Sequence, residues 1–206
     1  IVVHSGDFFP DYYDRTNVVK VMEFQYQWLE EKILDIKEWL GGKPLFFTAG
    51  NHDFLNADFM AQRLNANDIV AFNLAEQVVT HEGVNFYGFP YIPYINGTWS
   101  YEKTLNDMTP HIDRLVEQSN QTYIDVLVPH APIYGCLDLI VGNKYSNFQP
   151  EHIGSTALAS ALDFRINRDM LPQAILHGHC HESHGVTMRN GILVSNAATV
   201  QRVIEI

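Results

Sequence analysis

Cysteine is scarce. Cys136 and Cys180 are too few for a disulfide scaffold, and a reducing, cytoplasmic setting is the expectation they carry. No run approaches the roughly 18 consecutive apolar residues of a membrane helix, and no signal-peptide pattern is evident, so no membrane partner is expected. Positive charge is also short: 13 Lys and Arg stand against 24 Asp and Glu, a formal net charge of −11. That balance, with no basic stretch, argues against nucleic acid as a partner, because such binding rests on neutralising phosphates. It leaves a phosphate ester open as substrate, since bound cations can supply positive charge locally. Repeats, low-complexity tracts and Ser/Gly-rich linkers are absent too. What remains is 206 residues, 46% of them apolar, which excludes a disordered chain and fits a single domain over 1–206 with a sizeable core.

The opening third has a clear rhythm. Residues 1–4 (Ile-Val-Val-His) read as a short buried strand running into Ser5-Gly6-Asp7. Val18, Met22, Tyr26, Leu29, Ile33, Ile36 and Leu40 recur at three- and four-residue steps, the mark of one helix face. Thr16 or Asn17 can cap its start, and Gly41-Gly42 with Pro44 stops it. Leu45-Phe46-Phe47-Thr48-Ala49 then reads as a second buried strand, parallel to the first. The result is a βαβ unit whose strands both end in polar loops, and ligands of open α/β sheets sit at that carboxyl edge.

Further along, residues 77–80 and 84–88 predict a hairpin, and 89–99 an ordered loop rich in Pro and Tyr. A helix is expected over 103–118 and another over 155–164. Strands are expected at 125–128 and 174–176. Asn190-Gly191 between 186–188 and 192–194 signals a further hairpin. The last strand is expected at 200–206.

Polar residues of one kind therefore follow four apolar strands: Asp7; Asn51, His52 and Asp53; His130; His179 and His181. Carboxylate, carboxamide and imidazole form a mixed oxygen and nitrogen set, suited to borderline first-row ions such as Mn, Fe, Zn, Co or Ni. If 178–181 continues a strand, His179 and His181 share one side and Cys180 faces away into packing. Cys136 reads as a small buried hydrophobe, His4 as a core residue, and His81, His111 and His152 as solvated. Trp99, Tyr91 and Tyr94 are candidates for a cleft wall, and Asp11, Tyr12, Tyr13 and Asp14 for its mouth.

Gly6-Asp7, Gly50-Asn51-His52-Asp53, His130-Ala131-Pro132 and Gly178-His179-Cys180-His181, in this order, resemble the calcineurin-like metallophosphoesterase superfamily. His4-Ser5-Gly6-Asp7-Phe8, Trp39-Leu40-Gly41, Tyr87-Gly88-Phe89-Pro90 and His130-Ala131-Pro132-Ile133-Tyr134-Gly135 look closest to its small, class III phosphodiesterase-like branch. The resemblance implies an α/β fold, a four-layer αββα sandwich of two mixed β-sheets flanked by helices. It implies two divalent metal ions, manganese foremost, and hydrolysis of a small-molecule phosphate ester. A phosphodiester is favoured, attacked by metal-activated hydroxide at a binuclear centre. Asp7 would bridge the ions, Asn51, His130 and His179 would complete one shell, and His181 would bind the other ion. His52 would face the phosphate and protonate the leaving oxygen, with Asp53 orienting it.

One feature departs from the family pattern. The Asp-x-His motif that resemblance leads one to expect before Asp7 does not occur. The expectation is that the domain's first strand lies outside this sequence. The competing readings are a nuclease acting on nucleic-acid ends and a metal-binding scaffold without catalysis; an intact Gly50-Asn51-His52-Asp53 counts against the second.

Overall fold

The computed structural model describes residues 1–141 and 149–205. Its first sheet is β1 (Val2–His4), β2 (Leu45–Phe47) and β3 (Ala71–Asn73), in that order and parallel throughout. Two helices cover it, α1 (Val18–Leu40) and α2 (Ala57–Asn65), through a core that includes Leu29, Ile33, Leu40, Leu45, Phe47, Met60 and Leu64.

The expected α1 boundaries hold. Asn17 accepts from the Lys20 backbone N–H at 3.2 Å, and Gly41 closes the helix in the left-handed conformation at φ 57°. The buried stripe differs at its start. Val21 and Gln25 face inward there, whereas Val18, Met22 and Tyr26 are exposed. The reason is polar: Gln25 is drawn inside by backbone groups of the loop after β2. Helix α2 and strand β3 had no expectation, because nine residues capped by Asn56 carry too few turns to show a periodicity.

Among the described residues the second sheet has six strands. These are β4 (Val78–His81), β5 (Val84–Phe89), β8 (Val126–Pro129), β11 (Ala174–His177), β12 (Gly185–Arg189) and β13 (Ile192–Asn196). Their order is β12-β13-β11-β8-β5-β4, mixed, with a parallel centre and an antiparallel hairpin at each end. The expectation of two mixed sheets is met in this larger one; the described strands of the smaller are all parallel. The loop expected at 89–99 contains β6 (Ile92–Pro93), paired with β7 (Glu102–Lys103). Strands β9 (Leu139–Ile140) and β10 (Glu151–His152) pair antiparallel.

Helices α3 (Leu105–Gln121) and α4 (Thr156–Ser160), with the turn that follows α4, cover the outer face of the second sheet, burying Met108, Ile112, Leu115, Leu158 and Leu162 against Leu127 and Ile175. The helix expected over 155–164 changes pitch at 161, where α4 gives way to one wide turn through Arg165. No strand forms over 200–205, and Ile206 lies outside the described residues. Between the sheets lie Phe46, Leu74, Phe86, Val126 and Val128, with Val3, Phe72 and Leu176 packed against them. The layers thus run helices, sheet, sheet, helices, the expected αββα sandwich. Among the described residues no helix is long and apolar enough to cross a membrane.

Candidate metal centre

The carboxyl ends of β1, β2, β8 and β11 meet at one edge. The turn after β1 brings Gly6 against Gly50 in the turn after β2. A Cβ on Gly6 would meet the His130 ring and lie 2.8 Å from the Gly50 backbone, and Gly6 itself sits at φ 99°. This close approach requires glycine and carries Asp7 into contact with the second turn. Asp7 and His179 both adopt left-handed backbone, at φ 59° and 65°. Such strain costs of order 1–3 kcal/mol per residue and gathers at functional sites.

Donor atoms of Asp7, His130 and His179 lie within 4.8 Å of one another. Asn51 Oδ1 completes the group, 2.9 Å from His130 Nε2 and 2.9 Å from His179 Nδ1. His130 Nε2 is 3.3 Å from Asp7 Oδ1. On its far side His130 Nδ1 donates to the Ser5 carbonyl at 2.7 Å, which leaves Nε2 with a lone pair in the neutral ring.

Burial alone would raise the Asp7 carboxyl, but His130 and His52 beside it outweigh that and hold it far below the usual carboxylate range. Burial pushes His179 down to about 3, so this imidazole stays neutral. Burial also opposes charge on His130, yet the neighbouring Asp7 raises it. The donor set therefore fits a divalent cation. Oxygen and nitrogen lone pairs converge with only the His130 proton to separate them, and metal binding characteristically displaces such a proton.

His52 sits at the rim. Its backbone N–H donates to Asp7 Oδ1 at 2.9 Å, and its ring Nε2 is 3.9 Å from Asp7 Oδ2. The carboxylate that orients its ring is not Asp53. Asp11 Oδ1 lies 2.6 Å from His52 Nδ1. Asp53 is buried and turns the other way, accepting from Gly50 N–H at 2.8 Å and Phe9 N–H at 3.0 Å. It ties the two glycine turns together. Burial, reinforced by Asp7, pushes Asp53 up to about 6 against the pull of those two N–H groups.

His181 is not gathered in. Strand β11 ends at His177, His179 turns left-handed, and His181 opens an exposed 3-10 turn. Strand alternation therefore does not govern 178–181. Cys180 is nevertheless buried, as expected, with Sγ against the Leu139 carbonyl. His177 is fully buried, its Nε2 without a partner among the described residues, and burial holds it down at about 4.

Gln25 is the residue that pattern reading passed over. Its amide donates to the His52 carbonyl at 2.6 Å, and its Oε1 accepts from Phe54 and Leu55 N–H at 2.8 and 2.9 Å. A helix thus holds the metal-edge loop from beneath. The available signal was a lone polar residue in the register of Val21, Leu29, Ile33, Ile36 and Leu40. Two histidines expected in solvent are also engaged. His111 Nδ1 meets Glu76 at 2.8 Å with its ring 3.8 Å from Tyr91, and His152 Nδ1 meets the buried Asp138 at 2.6 Å.

One solved structure superimposes on 91% of this chain and 69% of its own, with a TM-score of 0.63 at 13% sequence identity, a likeness of fold. Residues 1–183 match the calcineurin-like phosphoesterase family. The chain belongs to that family of metal-dependent phosphoesterases.

Proposed function

We propose that the chain hydrolyses small phosphate esters, phosphodiesters in preference, at a centre for two divalent cations, manganese foremost. The observation that carries this is the convergence of Asp7, Asn51, His130 and His179 from four loops of two sheets, with His52 at the rim. The diester preference rests on the resemblance of the His130-Ala131-Pro132-Ile133-Tyr134-Gly135 segment to the class III branch.

Asp7, Asn51, His130 and His179 would hold one cation; a second, beside Asp7, would draw on His181 turned in from its exposed 3-10 turn. Bound there, divalent cations would supply Lewis acidity, offsetting phosphate charge and lowering the pKa of a bound water. His52 Nε2 donates a proton to the departing oxygen, the step that governs poor leaving groups. Asp11 on Nδ1 fixes which nitrogen faces the substrate. Asp53 and Gln25 keep the turns in register, so the donors need no rearrangement when a phosphate arrives.

The test is turnover of bis(4-nitrophenyl) phosphate with added manganese. Wild type turns over; Asp7→Ala falls by at least about 10³-fold, and on the corresponding alkyl diester, whose leaving oxygen needs a proton, His52→Ala falls by about 10²–10⁴-fold. Wild-type turnover untouched by both changes overturns the site assignment.

A further inference from the structure

His52 is held on its ring face as well as its edge. The Trp99 ring lies 4.5 Å from the His52 ring, centroid to centroid, at an angle of 46°. The Arg15 guanidinium covers Trp99 at 3.6 Å, and an Arg15 nitrogen is 4.0 Å from Asp11 Oδ1. Asp11 in turn holds His52 Nδ1. Four side chains from three loops close a ring of contacts around one imidazole, and none of the other three is a metal ligand.

Trp99 is placed firmly. Glu102 accepts from the backbone N–H groups of Ile95 and Asn96 at 3.0 Å each and of Trp99 at 3.4 Å. Asn96 Oδ1 takes the N–H and hydroxyl of Thr98 at 3.0 and 2.8 Å. Ser100 N–H then donates to the Asn51 carbonyl at 3.1 Å, fastening this loop directly to the metal-edge turn.

We propose that Trp99, braced by Arg15, is a positioning residue for phosphate-ester hydrolysis, acting through His52. One hydrogen bond at Nδ1 leaves an imidazole free to swing about that bond. A flat ring against its face removes the swing and keeps Nε2 aimed across the centre. The Arg15 cation over the indole holds that ring in turn. The inference rests on the proposed role of His52 as proton donor to the leaving oxygen.

The test compares an alkyl with a 4-nitrophenyl leaving group. In Trp99→Leu, kcat for the alkyl ester falls about 10–100-fold with KM unchanged, the scale of a displaced reacting group. The 4-nitrophenyl ester, which departs without a proton, loses far less. Trp99→Phe restores most of the rate, and Arg15→Met shows a smaller loss of the same selectivity. A second readout needs no metal and no turnover. The His52 ring-proton resonances, identified by their loss in His52→Gln, are displaced by the Trp99 ring current and relax in Trp99→Leu. Should Trp99→Leu fail to fold, Arg15→Met carries the comparison, with Trp99→Phe as its near-wild-type control. Wild-type turnover with an unchanged leaving-group response and unmoved His52 resonances in the variants overturns the positioning role alone. Absence of wild-type turnover with any divalent ion overturns the functional reading beneath it.

Discussion

The two sheets bring their donors to the same edge by different means. The turns after β1 and β2 press backbone on backbone, Gly6 against Gly50, and fix Asp7 and Asn51 through main-chain contacts and the buried Asp53. The segments after β8 and β11 place their donors through side-chain hydrogen bonds. His130 and His179 are aimed by their own hydrogen bonds, to the Ser5 carbonyl and to Asn51, and their loops are linked by Gly178 N–H donating to the His130 carbonyl at 3.2 Å. One half is a steric vice and the other a pair of pinned imidazoles. Damage to the two glycines should therefore be unequal.

A Cβ on Gly50 would overlap Asp7 Oδ1 and lie 2.5 Å from Asp7 N and 2.6 Å from the His130 ring. On Gly178 its tight contact would be Ser5 Oγ, at 3.0 Å, with the Ser5 carbonyl at an ordinary 3.8 Å, and a hydroxyl can rotate away. Gly50→Ala is expected to abolish metal binding by calorimetry and to cost about 3 kcal/mol or more of stability, because backbone must move. Gly178→Ala is expected to stay within about 1 kcal/mol and to bind metal. Equal losses would break the contrast between the halves.

The seam between the sheets offers the next comparison. Phe46 stacks on Phe72 and Phe86, each at 4.8 Å between centroids, and is fully buried. Phe46→Ala should cost about 3–5 kcal/mol. It should also weaken metal affinity, because Asp7 and Asn51 ride on one sheet and His130 and His179 on the other. Leu115→Ala, in the core beneath α3, should cost about 2–5 kcal/mol with metal affinity unchanged. Denaturant midpoints read with metal titrations separate the two outcomes.

The same division explains what the sequence made legible. In the first half, strand, helix and strand are continuous in the chain, so period and caps show α1 at its true bounds and both polar turns beside their glycines. Asp7, Asn51, His130 and His179 were readable because each closely follows an apolar strand. The fine assignments were not. Asp11, four residues after Asp7, reaches His52 only because the loop before α1 curls back. Asp53, adjacent to His52 in sequence, turns inward because Gly50 and Phe9 offer buried N–H groups. Gln25 breaks the α1 stripe for a contact with residues far along the chain. Chain neighbourhood reports strand ends well and side-chain partners poorly, since partners are settled by which backbone groups tertiary packing leaves without water.

Tyr101 joins the halves and permits the smallest test. Its backbone belongs to the loop that carries Trp99, with left-handed φ of 58°, while its ring packs on the core of the first sheet. Burial, aided by the carboxylates of Asp53 and Asp58, pushes its phenol up to about 12. An ordinary phenol ionises near 10. Between pH 10 and 12 the unfolded chain has released this proton and the folded chain has kept it. The unfolded state then binds fewer protons, so stability falls as pH rises. At pH 11 the loss from Tyr101 is about 1 kcal/mol, and Tyr101→Phe should recover it relative to wild type while matching wild type's pH response below pH 9. Urea unfolding at pH 8 and pH 11 measures the difference. Parallel losses in wild type and Tyr101→Phe would mean that the phenol reaches water in the folded chain, and that the seam on this side is open.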